Sequence, residues 1–150
     1  MARKLAHGTK LKLGDGASSE QFATVVYLDT ISLPSSTRAA VDVSDHDTED
    51  AMEFLAAALM DGGSVSFGGH LDPTSATQGY SAGTGIIGAM QDGGLHNWQI
   101  EDPDGVWHVA FAGIITAQGG DMNSESGSGK QRITGEIKVS GVPTYAAVGV

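Results

Sequence analysis

Hydrophobic and polar positions along the chain mostly alternate with a period of two, which predicts strands. Lys10-Leu11-Lys12-Leu13 alternates until Gly14-Asp15-Gly16 breaks it. Residues 21–28 (QFATVVYL) are rich in β-branched and aromatic types. Phe22, Val26 and Leu28 fall on one face and Ala23, Val25 and Tyr27 on the other, which predicts a strand covered on both sides. Short strands are also predicted over residues 41–44 and 64–67. Residues 97–101 and 106–116, joined by Asp102-Pro103-Asp104-Gly105, predict a β-hairpin, because Pro and Gly occupy positions that tight turns favour. Trp98 and Ile100 share a face of its first limb, and Trp107, Val109, Phe111 and Ile115 share a face of its second. The cleanest alternation is residues 131–140, with Ile133, Ile137 and Val139 against Arg132, Thr134, Glu136 and Lys138. Pro143 is expected to end the ordered pattern.

One segment departs from that period. Ala51, Phe54, Leu55, Ala58 and Leu59 recur at helical spacing, which predicts a flanking α-helix over about residues 47–61. Asp47 or Thr48 can cap its first turn, Glu49, Asp50 and Glu53 suit the positive end of its dipole, and Gly62-Gly63 can end it. Residues 84–91 are ambiguous: Ile86, Ile87 and Met90 favour a short helix, while Gly85 and Gly88 oppose it. Residues 29–40, 68–83 and 117–130 read as loops, long ones for so short a chain. The sum is about seven strands and one helix. An antiparallel β-sandwich or small barrel with one flanking helix and long loops fits best, as a single domain over residues 1–150 with an ordered core of about 9–145.

Composition narrows the function classes. The 150 residues include 22 Gly, more than average usage but without the triplet period of collagen. The formal net charge is −10, and the charges are uneven. Arg3, Lys4, Lys10 and Lys12 precede all 18 acidic residues, so only four bases accompany them over residues 13–150. A body so acidic repels a phosphate backbone; it equally serves as an ordinary solvated surface. There is no Cys, which removes disulfides and thiolate chemistry. No secretory leader pattern and no run of 18 apolar residues is present, so no membrane span is expected.

Candidate chemistry is sparse. Asp45-His46-Asp47 offers alternating carboxylates of a kind that chelate cations, but just before a helix its aspartates serve better as caps. His7, His46, His70, His96 and His108 lack the spacing of a helical zinc pair, and His108 reads as a packed or interface residue rather than a general base. Gly127-Ser128-Gly129-Lys130 lacks the spacing of a phosphate loop and precedes a strand. Gly83-x-Gly85-x-x-Gly88 has a dinucleotide spacing without a βαβ unit around it. No catalytic residue, cofactor or metal site is expected.

The order of features across residues 9–145 nevertheless resembles the tail tube proteins of long-tailed bacteriophages. The features are LKLGDG, an E-Q-F strand, Pro34 in a long connection, VDVSDHD, the expected helix ending MDGGSVSF, the hairpin WQIEDPDGVWHVAF, and a final strand ending KVSG. The resemblance implies a non-enzymatic structural protein of the virion tail, assembled in the host cytoplasm. Its copies would form rings, expected to be hexameric, that stack into a tube. Double-stranded DNA would be ejected through it without specific binding, past a negatively lined wall built from strands 21–28, 38–44, 97–101 and 106–116, with Asp42 and Glu101 facing the lumen. Asp29, Pro34, Arg38, Leu71, Tyr80, Met122 and Lys130 are the expected subunit-contact residues. Tape measure, tail terminator and distal tail proteins are the further implied partners, with no membrane and no small-molecule substrate. This chain would lack the immunoglobulin-like C-terminal domain of some relatives. The alternatives are a β-sandwich module binding carbohydrate or calcium, or a tube protein like that of type VI secretion.

Overall fold

The computed structural model describes residues 7–47, 49–80, 85–122 and 131–148. Nine strands and one helix follow in the order β1 (Lys10–Gly14), β2 (Phe22–Thr24), β3 (Leu28–Ile31), β4 (Thr37–Asp42), β5 (Phe54–Asp61), β6 (Ser64–His70), α1 (Ile86–Asp92), β7 (His96–Glu101), β8 (Trp107–Gly119) and β9 (Arg132–Ala147). Seven strands make one antiparallel sheet in the order β2-β1-β7-β8-β9-β6-β3, and β4 and β5 make a separate two-stranded sheet. The mainly-β reading stands. The sheet does not close as a barrel.

The core lies on one face of the large sheet, where alternation predicts it. Leu11, Val65, Trp98, Val109, Ile133 and Ile137 are fully buried, and Ile86 and Ala89 of α1 pack into the same cluster. Each large side chain buried this way stabilises the fold by about 1.5–3 kcal/mol. The Trp98 indole Nε1 donates to Gly113 O at 3.2 Å, so its polar edge stays paired inside the apolar layer. The expected β7–β8 hairpin forms, with Glu101 opposite His108 across the turn.

The expected helix over residues 47–61 does not form. Residues 54–61 are β5, paired with β4 through Val41–Leu55 and Asp42–Phe54, and the caps proposed for Asp47 and Thr48 have no helix to cap. Thr48 lies outside the described residues. A helix there would need a core surface for its stripe, and none reaches it; the Thr- and Val-containing run before it supplies cross-strand partners instead. Gly63 is left-handed, at φ 78°, but it turns β5 into β6 rather than ending a helix. The helix is the ambiguous segment. It starts at Gly85 without a side-chain cap, and its first N–H groups are met by Thr77 O, Gln78 O and Gly79 O at 3.0–3.3 Å. Left-handed Gly93 stops it.

Three boundaries also move. Residues 29–40 are not one loop but hold most of β3 and the start of β4. β8 continues to Gly119, and β9 runs through Pro143 to Ala147 because Pro143 sits where no further strand needs its missing N–H. The predicted strand 21–28 is two strands. Its first part pairs with β1 and its second with β6, the opposite borders of the sheet, with Tyr27 at φ 63° in the kink between them. One run of chain therefore occupies both borders, and only Val25 of it is buried.

Candidate assembly surface

The chain leaves the sheet after β3 and returns at β6, and between them β4 and β5 form an arm. Its root is tightly built. Asp61 Oδ1 accepts Gly63 N at 2.8 Å and pairs with Lys138 Nζ at 2.6 Å, and Val139 N donates to Gly63 O at 3.0 Å. A Cβ at Gly62 would lie 2.6 Å from Val139 Cγ1 and 2.7 Å from Gly141 O, so only glycine lets the root approach β9 this closely. The lysine and the Gly63 N–H together hold the Asp61 carboxyl below its ordinary range.

Beyond the root the arm has no interior. Every residue of β4 is exposed, and so are six of the eight in β5. Val41 and Leu55 are direct cross-strand partners and share a face, yet they are 49% and 62% exposed; Leu59 reaches 86%. A lone two-stranded ribbon is marginal in water. The far end is acidic, with six carboxylates and no Lys or Arg between Asp42 and Glu53. Asp42 accepts Ser44 N and Asp45 accepts Asp47 N, both at 2.9 Å, which makes these aspartates turn formers. No group of three His, Asp or Glu capable of holding a metal occurs among the described residues.

The long β8–β9 ribbon leaves two staggered borders. β7 covers β8 only as far as Gly113, so residues 114–119 pair with β9 alone. β6 covers β9 only from Arg132 to Lys138, so residues 140–147 pair with β8 alone. The two uncovered stretches face opposite sides of the sheet and lie at opposite ends of the ribbon.

The solvent face of the sheet is not the acidic wall that the charge count suggests. It carries Lys10, Lys12, Glu101, Arg132, Glu136 and Lys138. Glu101 is held by Lys12 at 3.1 Å and Lys10 at 3.8 Å. Arg132 reaches across β6 to grip Asp29 of β3 through both guanidinium nitrogens, at 2.9 and 3.1 Å. That bidentate hydrogen bond pulls the Asp29 carboxyl down to about 2. At the end of α1, Asp92 Oδ1 accepts Gly94 N and pairs with His96 Nε2 at the start of β7, which lowers its pKa in that order of cause.

The expected contact residues are dispersed. Asp29 lies on the border strand β3, and Pro34 is half-buried between it and the arm. Arg38 is on the arm, where Nη1 donates to Ala57 O at 2.8 Å. Leu71 packs against the core and its N–H donates to Gln131 O at 2.9 Å. Tyr80 and Met122 are exposed by 64% and 70%. Lys130 lies outside the described residues. Of the two expected lumen residues, Asp42 is on the arm and Glu101 on the sheet, so they do not form one site. Sequence reasoning missed the arm because its apolar spacing matched a helix. The stronger signal was that Val41-x-Val43 and Phe54-Leu55 flank a run of turn-forming Asp and Ser.

No protein-family model matches the sequence, and no curated protein sequence does either. Solved structures do match. A protein of the anti-feeding prophage baseplate, determined by cryo-EM with six-fold symmetrisation, aligns over 100% of this chain and 99% of its own, with 11% identity and a TM-score of 0.68. The SPP1 tail tube protein aligns over 97% of this chain and 80% of its own, with 14% identity and a TM-score of 0.70. At these identities the shared property is the fold. Residue for residue little is common, but over 97% of this chain the fold is similar to that of a phage tail tube protein.

Proposed function

We propose that this chain, acting as one unit over residues 1–150, is a non-enzymatic structural subunit of a phage tail tube, and that its copies associate into six-fold rings that stack. The observation that carries this reading is the arm. It is a β-ribbon with Val41, Leu55 and Leu59 exposed, built on a rigid root, and such an apolar surface on a projecting element calls for a cover from another chain. The staggered borders of β8 and β9 support ring closure. They are different surfaces on opposite sides of the sheet, so a contact between them is head-to-tail and closes into a ring when the rotation permits. The likeness in fold to the SPP1 tail tube protein, over 97% of this chain and 80% of that one, supports the same assignment.

In that tube the DNA slides without specific binding. The sheet face supports this because its cations are engaged by carboxylates of the same chain: Lys10 and Lys12 share Glu101, Arg132 pairs with Asp29 and Lys138 with Asp61. The subunit would then reside in the virion tail after assembly in the host cytoplasm, meeting tape measure, terminator and distal tail proteins at the tube interior and ends.

Negative-stain electron microscopy and sedimentation of the purified chain over rising concentration test the proposal. Rings or tubes of uniform diameter are expected. Single subunits at every concentration overturn it, and a monomer whose melting temperature rises with calcium or sugar assigns the chain to a binding module instead.

A further inference from the structure

The arm joins the sheet through two connections, residues 32–36 and residues 62–63. The second is a pair of glycines, and space demands them. A Cβ at Gly62 would meet Val139, and one at Gly63 would fall 2.2 Å from Ser35 O. The same choice puts soft backbone dihedrals at the junction, because glycine lacks the Cβ that restricts other residues. On the first connection Ser32 is anchored, its N–H donating to Ser66 O at 2.9 Å. Closer to the arm the bonds are long, with Ser64 N donating to Ser35 Oγ at 3.4 Å and Ser35 Oγ to Ser64 O at 3.5 Å. The bonds further out close within the arm: Arg38 Nη1 to Ala57 O, Val43 N to Glu53 O and Glu53 N to Ser44 Oγ. They stiffen the ribbon and leave its direction open.

One oxygen closes that gap. Asp61 is the last residue of β5, and its Oδ1 accepts both Gly63 N at 2.8 Å and Lys138 Nζ at 2.6 Å. Lys138 belongs to β9, which lies inside the sheet between β8 and β6, and it stands opposite Ser64 and Ile114. The carboxylate thus ties the end of the arm to the glycine junction and, past the strand that continues the chain, to the middle of the sheet. The bond from Val139 N to Gly63 O pins the junction itself, not the strand before it. As a stabiliser of the fold the ion pair counts for little, because the Lys138 and Asp61 side chains are 44% and 59% exposed. Its leverage is geometric. β5 has eight residues and at about 3.3 Å each extends about 26 Å, so a turn of about 10° at Asp61 moves its far end about 4–5 Å, one strand spacing.

We propose that Asp61 and Lys138 are a positioning pair, which sets the direction in which the arm leaves the sheet and thereby lets the arm meet a second copy in register. The assembly half rests on the reading above; the direction of the arm in the free subunit does not.

The chain has no Cys, so spin labels on Met52→Cys and Thr134→Cys report a single distance between the arm and β9. Electron–electron resonance below the assembly threshold reads its spread, sedimentation reads the threshold, and melting reads the fold. A narrow spread is expected in the labelled parent, a clearly broader one with Lys138→Met, and a narrow one again with Lys138→Arg, which restores the cation. Lys138→Met is expected to melt within about 2 °C of the parent while its threshold rises about tenfold or more. Lys138→Arg is expected to stay within about threefold of the parent threshold. A broad spread in the parent, or an unchanged one in Lys138→Met, overturns the positioning role. A melting temperature lowered by more than about 4 °C in Lys138→Met also overturns it, by showing that the pair holds the sheet together. A broadened spread with an unmoved threshold overturns the link to assembly. A parent that never assembles sinks the tube reading instead, and the distances still decide whether the pair directs the arm.

Discussion

The large sheet and the arm are made from similar material and end in opposite environments. Val65, Ile133 and Ile137 are sealed from solvent, whereas Leu59, Leu55 and Val41 stand open to it. The sheet has a second layer, α1 with residues 71–80, to press its apolar face against. The arm has only its partner strand, and one ribbon cannot cover its own faces. Apolar content alone therefore does not identify a core. In this chain it marks two different things, the interior of a subunit and, on the reading proposed above, the contact between subunits.

Trp98→Ala breaks the sheet side of the comparison hardest. Removing a fully buried ring should cost about 3–5 kcal/mol in equilibrium unfolding of the free subunit. Gln78→Ala comes next. It leaves Val26 O, His70 O and Asp72 N without their buried partner, and a loss of about 1–3 kcal/mol by denaturant titration is expected, with the β2–β3 kink loosened first in hydrogen exchange. The double change Leu55→Ser and Leu59→Ser should do the reverse. Unfolding of the free subunit should change by less than about 0.5 kcal/mol, because little is buried there, while sedimentation shows assembly abolished. Unaltered assembly in that variant would erase the distinction between the two regions.

The smallest effect is electrostatic. The Asp29 carboxyl, gripped by Arg132, is lowered from 3.8 to about 2 in the folded chain. A depressed carboxylate adds stability that is present above its unfolded pKa and is lost as pH falls through its folded one. Acid titration of Asp29→Asn against the parent should therefore show the parent's advantage fade between about pH 4 and pH 2. The gap will be slight and will shrink with salt, because the Asp29 side chain is 47% exposed.

Much of the large sheet was legible in the sequence, for a reason visible in β7, β8 and β9. Their alternation assigns each residue to a face, and the Pro-Asp-Gly run marks the turn, so Trp98 and Ile100, Val109 and Phe111, and Ile133 and Ile137 could each be grouped on one face without coordinates. The kink at Tyr27 left no such mark, since neither glycine nor asparagine announces it. The assembly surface was legible only as an expectation of unsatisfied borders. The described contact residues named from the sequence lie scattered: Asp29 on the border strand, Arg38 on the arm, Leu71 against the core, and Tyr80 and Met122 exposed elsewhere.

The sequence by itself settled that the chain is mainly β, which faces of its long strands are apolar, and that its charge is unevenly spread, all of which follow from local periodicity and count. Tertiary structure alone decided that residues 54–61 extend as a strand, that residues 86–92 coil into the helix, and that one stretch of chain serves both borders of the sheet. Those choices depend on distant partners. A backbone N–H takes the acceptor that the rest of the fold brings to it, and β4, the turn at residues 77–79 and the β6 edge are each supplied from outside the segment whose shape they determine.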